Sequence, residues 1–566
     1  MPKSEHVLVA KLKDQLNSGA MNRREFVRFA SLLGVAAGSA YAMAGMSGPA
    51  MAADNMPFPP ADPNAKAGGK LRIGQRVAKM EDPATYSWNE MSNQSRPVIE
   101  YLTMLGPDNI IRPMLIESWQ PSDDLKTWTF NVRKGVMWHN GEELTADHVA
   151  WNILRWTDSA TGSSVLGLST FAALATSTGE KGANGKPVRK PTKGAVEVVD
   201  KHTLKLHLAN AVLSVAEDCA EYTTLIVHPS FKAPFAENPI GTGPFTVAEL
   251  KVGERCILKR INKTTDGKDF KYWGGDTYLD EIHFYNFEED NVTAAVASGT
   301  VDAIYELSVD QIELANSIEG AEVLSVDSAN TLCCRMQVDH KPFDDIRVRK
   351  AIIKGVDNAA VKALVFPDGG EPSYNFHVSP VHPEYFPLPP LQRDVEGAKA
   401  LLKEAGYEKG LDVTIDVGNT DGPWHQAICE AIRDQLKDIG VNLNVNVMPV
   451  TKFWDIWDKT PFGATSWDHR PLGTMVLAQA YRTGVPWNET HYSDPEYDKA
   501  LAEAEATIDV TKRKAMMQKL EQMLQDAAVM IEPLWRPVYI LTTKKVHGYK
   551  PHPSRQMQIT KVWMDA

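Results

Sequence analysis

Leu411, Val413, Ile415 and Val417 alternate with polar residues, the period-two pattern of a strand with one buried face. From Trp424 the period changes: Ile428, Ile432, Leu436 and Ile439 recur at helical spacing up to Gly440. Val441, Leu443, Val445 and Val447 then alternate again. Strand, helix and strand in that order predict an α/β lobe with its ligand edge at the loops after the strands. A helix over Val395–Ala405, apolar at Ala398, Leu401, Leu402 and Ala405, precedes it and stops at Gly406. Trp424, just past the Asn419–Pro423 loop, falls at that edge either as a ligand contact or as a core anchor.

Earlier, Gly68–Gly74 reads as a strand, with Trp88 and Asn89 in the loop that follows. Leu125–Arg133 alternates as a half-buried strand, and Asn140-Gly141 marks a turn. Thr145 is placed to cap a helix whose Val149, Ile153 and Trp156 share a face. Thr157–Gly194, rich in Ser, Thr, Gly and Lys, reads as an excursion of low regularity before strands at Ala195–Val199 and Thr203–Leu208.

A chain of 566 residues exceeds one core, so two to four domains are expected. Its 43% hydrophobic and 23% charged content suits a soluble protein. The net charge of −12 argues against nucleic acid as the main partner. Five cysteines leave at least one thiol free, with a Cys219–Cys256 pairing open. No CxxC or zinc-spaced Cys/His group occurs, which argues against a structural zinc site and implies no metal or other cofactor.

Residues 22–28 read Asn-Arg-Arg-Glu-Phe-Val-Arg, followed by an apolar, Ala/Gly-rich run from Phe29 to Gly45 and then Ala50-Met51-Ala52. That layout predicts a twin-arginine (Tat) export signal over residues 1–52, cleaved near Ala52 to leave a periplasmic protein. A retained N-terminal anchor is the alternative. The residues before Met21 are unusual for a signal, so Met21 is expected to be the real start, with Met1 the alternative. Residues 53–67 read as an extended lead-in.

Gly241-Thr242-Gly243-Pro244-Phe245 lacks the third glycine of a dinucleotide loop, and neither GxSxG nor HExxH occurs. A non-enzymatic protein is expected. The stretch richest in chemistry is Trp467-Asp468-His469-Arg470, which offers a flat apolar face and charged tips to a small polar ligand.

Several ordered stretches resemble the bacterial extracellular solute-binding family 5, the periplasmic dipeptide-, oligopeptide- and nickel-binding proteins of ABC importers. Val132–Val149 (VRKGVMWHNGEELTADHV) is similar to the family's "LRKGVKFHDGEPLTAEDV", and Pro239–Phe245 to its "GTGPY/F". Tyr272-Trp273-Gly274, Pro342–Arg349 and His491–Asp498 resemble its "YWG", "PFDDVRVRQA" and "Y…P.FD". The resemblance implies an α/β, two-lobed periplasmic binding protein of the Venus-flytrap, large three-subdomain type. Lobe 1 is expected over 68–107 and 238–329 with an inserted subdomain at 108–237, lobe 2 over 330–539, and a C-terminal return to lobe 1 over 540–566. His139 belongs to a family turn and is read as structural.

The implied role is a monomeric receptor that captures a peptide-like or carboxylate-bearing solute and delivers it to an inner-membrane permease with its ATPase. An opine-like conjugate, a sugar acid or a metal chelate are alternative solutes. A chaperone-like role has no discriminating feature. An extracytoplasmic hydrolase using Asp468 and His469 is the reading from another class, disfavoured because no nucleophile accompanies them.

Family peptide binders carry "W-x-A-D-Y-x-D/E-P", whose aspartate pairs with the ligand's α-ammonium. Anchored on Trp467, the same stretch here sets Arg470 at that position, with Asp468 shifted. If Arg470 faces the cleft, an anionic ligand is expected. Trp88, Asn89, Trp424 and Arg335 complete the candidate contacts with Trp467, Asp468, His469 and Arg470.

Overall fold

The structure is a computed structural model that describes residues 6–47, 56–182, 187–287 and 289–565. The expected cleavage position at Ala52 lies outside the described residues. One twelve-stranded sheet runs through the molecule. In chain order its main strands are β1 Lys70–Gln75, β2 Phe245–Lys251, β3 Arg255–Arg260, β4 Glu281–Asn286, β5 Ala303–Ile304, β6 Ala321–Met336, β7 Leu411–Val417, β8 Val441–Val447, β9 Phe462–Trp467 and β10 Leu534–Thr543. Their spatial order is β2-β3-β4-β1-β5-β10-β6-β9-β7-β8.

The order divides the sheet in two at the antiparallel pair β6/β10. Pairing runs from Ala321↔Thr543 to Val326↔Val538, breaks, and resumes at Asn330↔Arg536. Asp327, Ser328 and Ala329 therefore face Pro537 alone, and proline has no N–H to give to a ladder. β5 joins on one side of the break (Ala303↔Thr542) and β9 on the other (Thr331↔Trp467). The irregularity lies between two half-sheets, each the base of a lobe.

In the second lobe β7 and β8 are parallel, and the helix Trp424–Leu436 connects them as the periodicity predicts. Its Ile428, Ile432 and Leu436 are fully buried, and Gly440 turns the chain with φ +81°. In the first lobe Ile116–Pro121, Thr127–Val132, Thr203–His207 and Val196–Asp200 form an antiparallel sheet, with Trp128, Phe130 and Val132 alternately buried. The helix Ala146–Trp156 packs on it through Val149, Ile153 and Trp156, although the Thr145 side chain makes no capping hydrogen bond. The expected irregular stretch contains a hairpin, Ala175–Lys181 with Pro187–Pro191. Its strands are mostly exposed, so no buried face imposed an alternation that could be read.

Two motifs turn out to be packing devices. A Cβ on Gly241 would lie 1.7 Å from the Val98 carbonyl oxygen, and one on Gly243 2.4 Å from that of Pro97. Thr242 Oγ1, Tyr272 Oη and Trp273 Nε1 all donate to the buried carboxylate of Glu100, at 2.7, 2.6 and 2.7 Å. His139 is buried, its Nδ1 accepting the Gly241 N–H at 3.2 Å and its Nε2 lying 2.8 Å from the Gly243 carbonyl oxygen, as in a structural residue.

The N-terminal stretch is folded onto the body as the helices Val7–Asn17, Arg23–Leu32 and Ala37–Met43. Phe26, Phe29 and Leu32 are buried in a core shared with Trp119 and Leu125 of the first lobe and Leu472, Met475 and Val510 of the second. Polar ties reach both lobes. Trp119 Nε1 donates to the Leu32 carbonyl at 2.8 Å, Arg28 donates to the Val381 carbonyl at 2.6 Å, and Glu25 pairs with Lys514 at 2.6 Å. Gly34 sits at φ +87°, where a Cβ would meet the Trp119 carbonyl oxygen at 2.1 Å. Leu8, Val9 and Leu12, which precede Met21, are buried as well. Among the described residues no helix is long and apolar enough to cross a membrane. All five cysteines are free and buried, so Cys219 and Cys256 are not bridged.

Candidate ligand cleft between the lobes

A cavity of about 770 Å³ lies between the lobes, within the range of small-ligand pockets. The loop before helix Asn89–Ser95 and residues 159–166 and 187–190 supply one wall. Thr420, Asp421, Trp454, Trp457, the end of β9 and residues 484–487 supply the other, with Arg555 between them.

Five of the lining residues are tryptophans, and their rings form a chain. Trp88 meets Trp454 at 6.3 Å between centroids, Trp454 meets Trp457 at 5.8 Å, Trp457 meets Trp487 at 6.2 Å, and Trp487 meets Trp467 at 5.8 Å. Aromatic rings at these separations gain both apolar burial and quadrupole attraction, and they leave flat faces for a ligand. The indole N–H groups of Trp88 and Trp454 are buried without a partner, as is the Asn89 Oδ1 acceptor. Trp467 is oriented from behind: its Nε1 donates to Glu489 at 2.7 Å, and Glu489 is held by Thr465 at 2.7 Å and by Arg335 at 2.6 Å.

The charges are organised around Arg555. Its guanidinium pairs with Glu306 at 2.8 Å, with Asp421 at 3.0 Å and with Asp468. Asn89 Nδ2 donates to the second Asp468 oxygen at 2.6 Å, and Ser466 donates to Asp421. Burial alone would raise the Asp421 carboxyl, but Arg555, then His425 and Arg536, hold it well below the usual carboxylate range. Glu90 is paired with Arg76 at 2.7 Å. Every carboxylate lining the cavity therefore has a cationic partner. Arg189 also lines it, and its guanidinium has no hydrogen bond or ion pair among the described residues; burial, then Arg482, lowers its pKa.

Trp467, Asp468, Arg470, Trp88 and Asn89 line this cavity, and three other candidates do not. His469 is turned into the core, where Asn109 Oδ1 lies 2.9 Å from Nε2 and the Ala329 N–H donates to Nδ1 at 3.1 Å. Burial pushes its pKa well below the usual value, so it stays neutral. Trp424 anchors the helix start instead, its N–H donating to the Asp421 carbonyl at 2.8 Å and its face covered by Arg536 at 4.9 Å. Arg335 is buried behind Trp467, donating also to the Thr460 carbonyl at 2.7 Å and to that of Trp457. Arg470 reaches the cavity wall, but Glu221 lies 3.3 Å from its Nε and Gln479 accepts from it at 2.9 Å. The expected anion preference therefore does not rest on Arg470.

Sequence reasoning missed Arg555, Asp421, Glu489 and Arg189. Trp454 ends the short helix Val450–Trp454 and Trp457 lies in the turn after it, so only their nearness in the chain hinted at a shared wall.

Two half-sheets joined by a broken strand pair, with a polar and aromatic cavity between them, define a two-lobed ligand-binding protein. The chain belongs to the bacterial extracellular solute-binding proteins, family 5, whose middle-region model matches residues 111–472. It is 28% identical to the dipeptide-binding protein DppE of Bacillus subtilis, over 82% of this chain and 86% of that one. It is 27% identical to the periplasmic oligopeptide-binding protein OppA of Escherichia coli, over 81% and 84% respectively. The murein tripeptide binding protein MppA of Escherichia coli superimposes with a TM-score of 0.76 at 22% identity, over 88% of this chain and 98% of that one.

Proposed function

We infer that this chain is the periplasmic substrate-binding component of an ABC importer, exported by the twin-arginine route, acting as a monomer, and taking up a small peptide-like solute through its carboxylate end. The relatives' names supply the peptide class. The observation that carries the carboxylate preference is an arginine left over in the cavity: Glu90, Asp421 and Asp468 each contact an arginine, the last two sharing Arg555, whereas the Arg189 guanidinium has no hydrogen bond or ion pair among the described residues. A ligand ammonium would compete with Arg555 for Asp468 or Asp421. A ligand carboxylate could pair with Arg189 without displacing a partner seen among the described residues, and the N–H groups of Trp88 and Trp454 are unpartnered in the same lining. The closed form is stabilised only by contacts that both lobes make to the solute at once. Turnover plays no part in this role, and the permease with its ATPase is the partner.

Native mass spectrometry of protein purified without refolding identifies what co-purifies. A thermal-shift panel then compares a dipeptide, its N-acetyl form and its C-terminal amide. Ligand at 100 times its dissociation constant adds about 2.7 kcal/mol. The N-acetyl form is expected to retain the stabilisation and the amide to lose it. The opposite order would return the site to ammonium recognition.

A further inference from the structure

We propose that Cys333, His377 and Glu532 form a binding site for one zinc-class divalent ion, buried behind the wall of the cleft. One ligand atom from each lies within 4.8 Å of the other two. The three side chains are 1%, 2% and 0% exposed. They come from positions far apart in the chain, so no sequence spacing could reveal them.

Two independent observations point to a ligand there. The first is that neither oxygen of Glu532 and not Nε2 of His377 has a hydrogen-bond partner. Thr331, Ser373 and Trp535 lie close enough to Glu532 to favour its ionised form a little, without closing a hydrogen bond of good geometry. Orphaned polar atoms at this depth are costly unless something satisfies them.

The second is the placement of His377. Its Nδ1 lies 3.0 Å from Tyr481 Oη, so that nitrogen has a partner while Nε2, on the far side of the ring, has none. Tyr481 also lies 3.0 Å from Met530 Sδ and beside Cys333. An ion at Nε2 requires the tautomer with the proton on Nδ1, donated to the tyrosine oxygen.

Electrostatics agrees. Burial raises both the Cys333 thiol and the Glu532 carboxyl well above their usual values and pushes His377 down to about 3. Without a cation the set is a neutral thiol, a neutral acid and a neutral imidazole. Binding one M²⁺ releases two protons to solvent, one from the thiol and one from the acid, and the thiolate and carboxylate then cancel the charge of the ion. Sulfur, nitrogen and oxygen donors together suit zinc.

The two other clusters of ligating residues lack this arrangement. In Glu142/His148/His228, Trp138 Nε1 donates to His148 Nδ1 at 3.0 Å and the Ser230 N–H to His228 Nδ1 at 3.2 Å, so both Nε2 atoms carry protons. In Asp339/His340/His491 both Nδ1 atoms are already spent on one carboxylate at the surface.

The proposed ion would be placed where it matters to the cleft. Cys333 lies on β6 and Glu532 just before β10, the two strands that cross between the lobes. His377 packs edge-on against Trp467, with centroids 5.3 Å apart at 88°. An ion at this point fixes the second-lobe ends of both crossing strands to the back of the ligand wall.

The test is elemental analysis of untagged full-length protein purified without chelator, then dialysed against a small excess of zinc chloride and against buffer. One zinc per chain is expected, falling at least tenfold in Cys333→Ser and in Glu532→Gln, and unchanged in His148→Ala and His340→Ala. Reconstitution with Co²⁺ should give a sulfur-to-cobalt charge-transfer band that Cys333→Ser lacks; this readout stands even if a variant folds poorly, because the wild-type spectrum alone reports a thiolate ligand. Absence of zinc from the dialysed wild type, a cobalt spectrum without sulfur ligation, or full zinc retention by both Cys333→Ser and Glu532→Gln would each overturn the proposal.

Discussion

The guanidinium of Arg555, near the C-terminus, is ion-paired with the carboxylate of Asp468 just after β9. Because Arg555 also holds Glu306 and Asp421, one side chain ties the two lobes across the cleft. The pairs are buried, so removing one partner leaves the others desolvated and uncompensated.

Arg555→Gln is therefore expected to cost the closed form about 3 kcal/mol, which shifts an open–closed equilibrium by roughly two orders of magnitude. Small-angle scattering of the ligand-free variant should report a larger radius of gyration than the wild type. An unchanged radius would mean that other contacts hold the lobes together.

Arg189 and Arg470 should separate in their effects. Arg189→Ala removes a cation without an ion pair among the described residues and is expected to weaken binding of the best carboxylate ligand by about tenfold or more, since hydrogen bonds to charged groups contribute about 1.5–3 kcal/mol. Arg470→Ala strands the buried Glu221 and should instead lower unfolding stability by about 3 kcal/mol. Isothermal titration and urea denaturation distinguish the two outcomes.

Stability should be greatest near pH 5. Burial pushes the Asp218 carboxyl up to about 7 and that of Glu521 up to about 9. A carboxyl raised on folding contributes stability that is fully present below its unfolded value, about 4, and is lost as pH rises through the folded value. Asp421 has the opposite sign: its contribution is present above about pH 4 and is lost as pH falls through its depressed value. Urea midpoints should therefore fall from pH 5 to pH 9, and Glu521→Gln should flatten that decline. An equal slope in wild type and variant would remove Glu521 from the account.

Ligand entry should change tryptophan emission, because five indoles line one cavity. Trp454→Phe deletes an unpartnered N–H while keeping a ring, so affinity for a carboxylate ligand should drop by several-fold, about 1 kcal/mol, with little loss of stability. Fluorescence titration of both proteins reads this directly.

The parts of the fold set by periodicity were legible. Leu411–Val417, the helix from Trp424 and Val441–Val447 each bury one face, and a buried face writes its period into the chain. The exposed hairpin at Ala175–Lys181 has no such face and was invisible. In the cleft, Trp467, Asp468 and Arg470 of one motif all line the cavity. What residue type could not show is which neighbour satisfies each side chain: Glu221, Asn109 and Glu489 reach Arg470, His469 and Arg335 from distant segments, and the last two lie outside the lining. Arg555 carries no local pattern at all, since its partners Asp468 and Glu306 lie 87 and 249 residues away.

The N-terminal helices carry a last consequence. Phe26 and Phe29 sit in a core to which both lobes contribute, while Glu25 and Arg28 are tied to the second lobe and Leu32 to the first. Helices packed into a core that both lobes share oppose any separation of those lobes for as long as they stay in place.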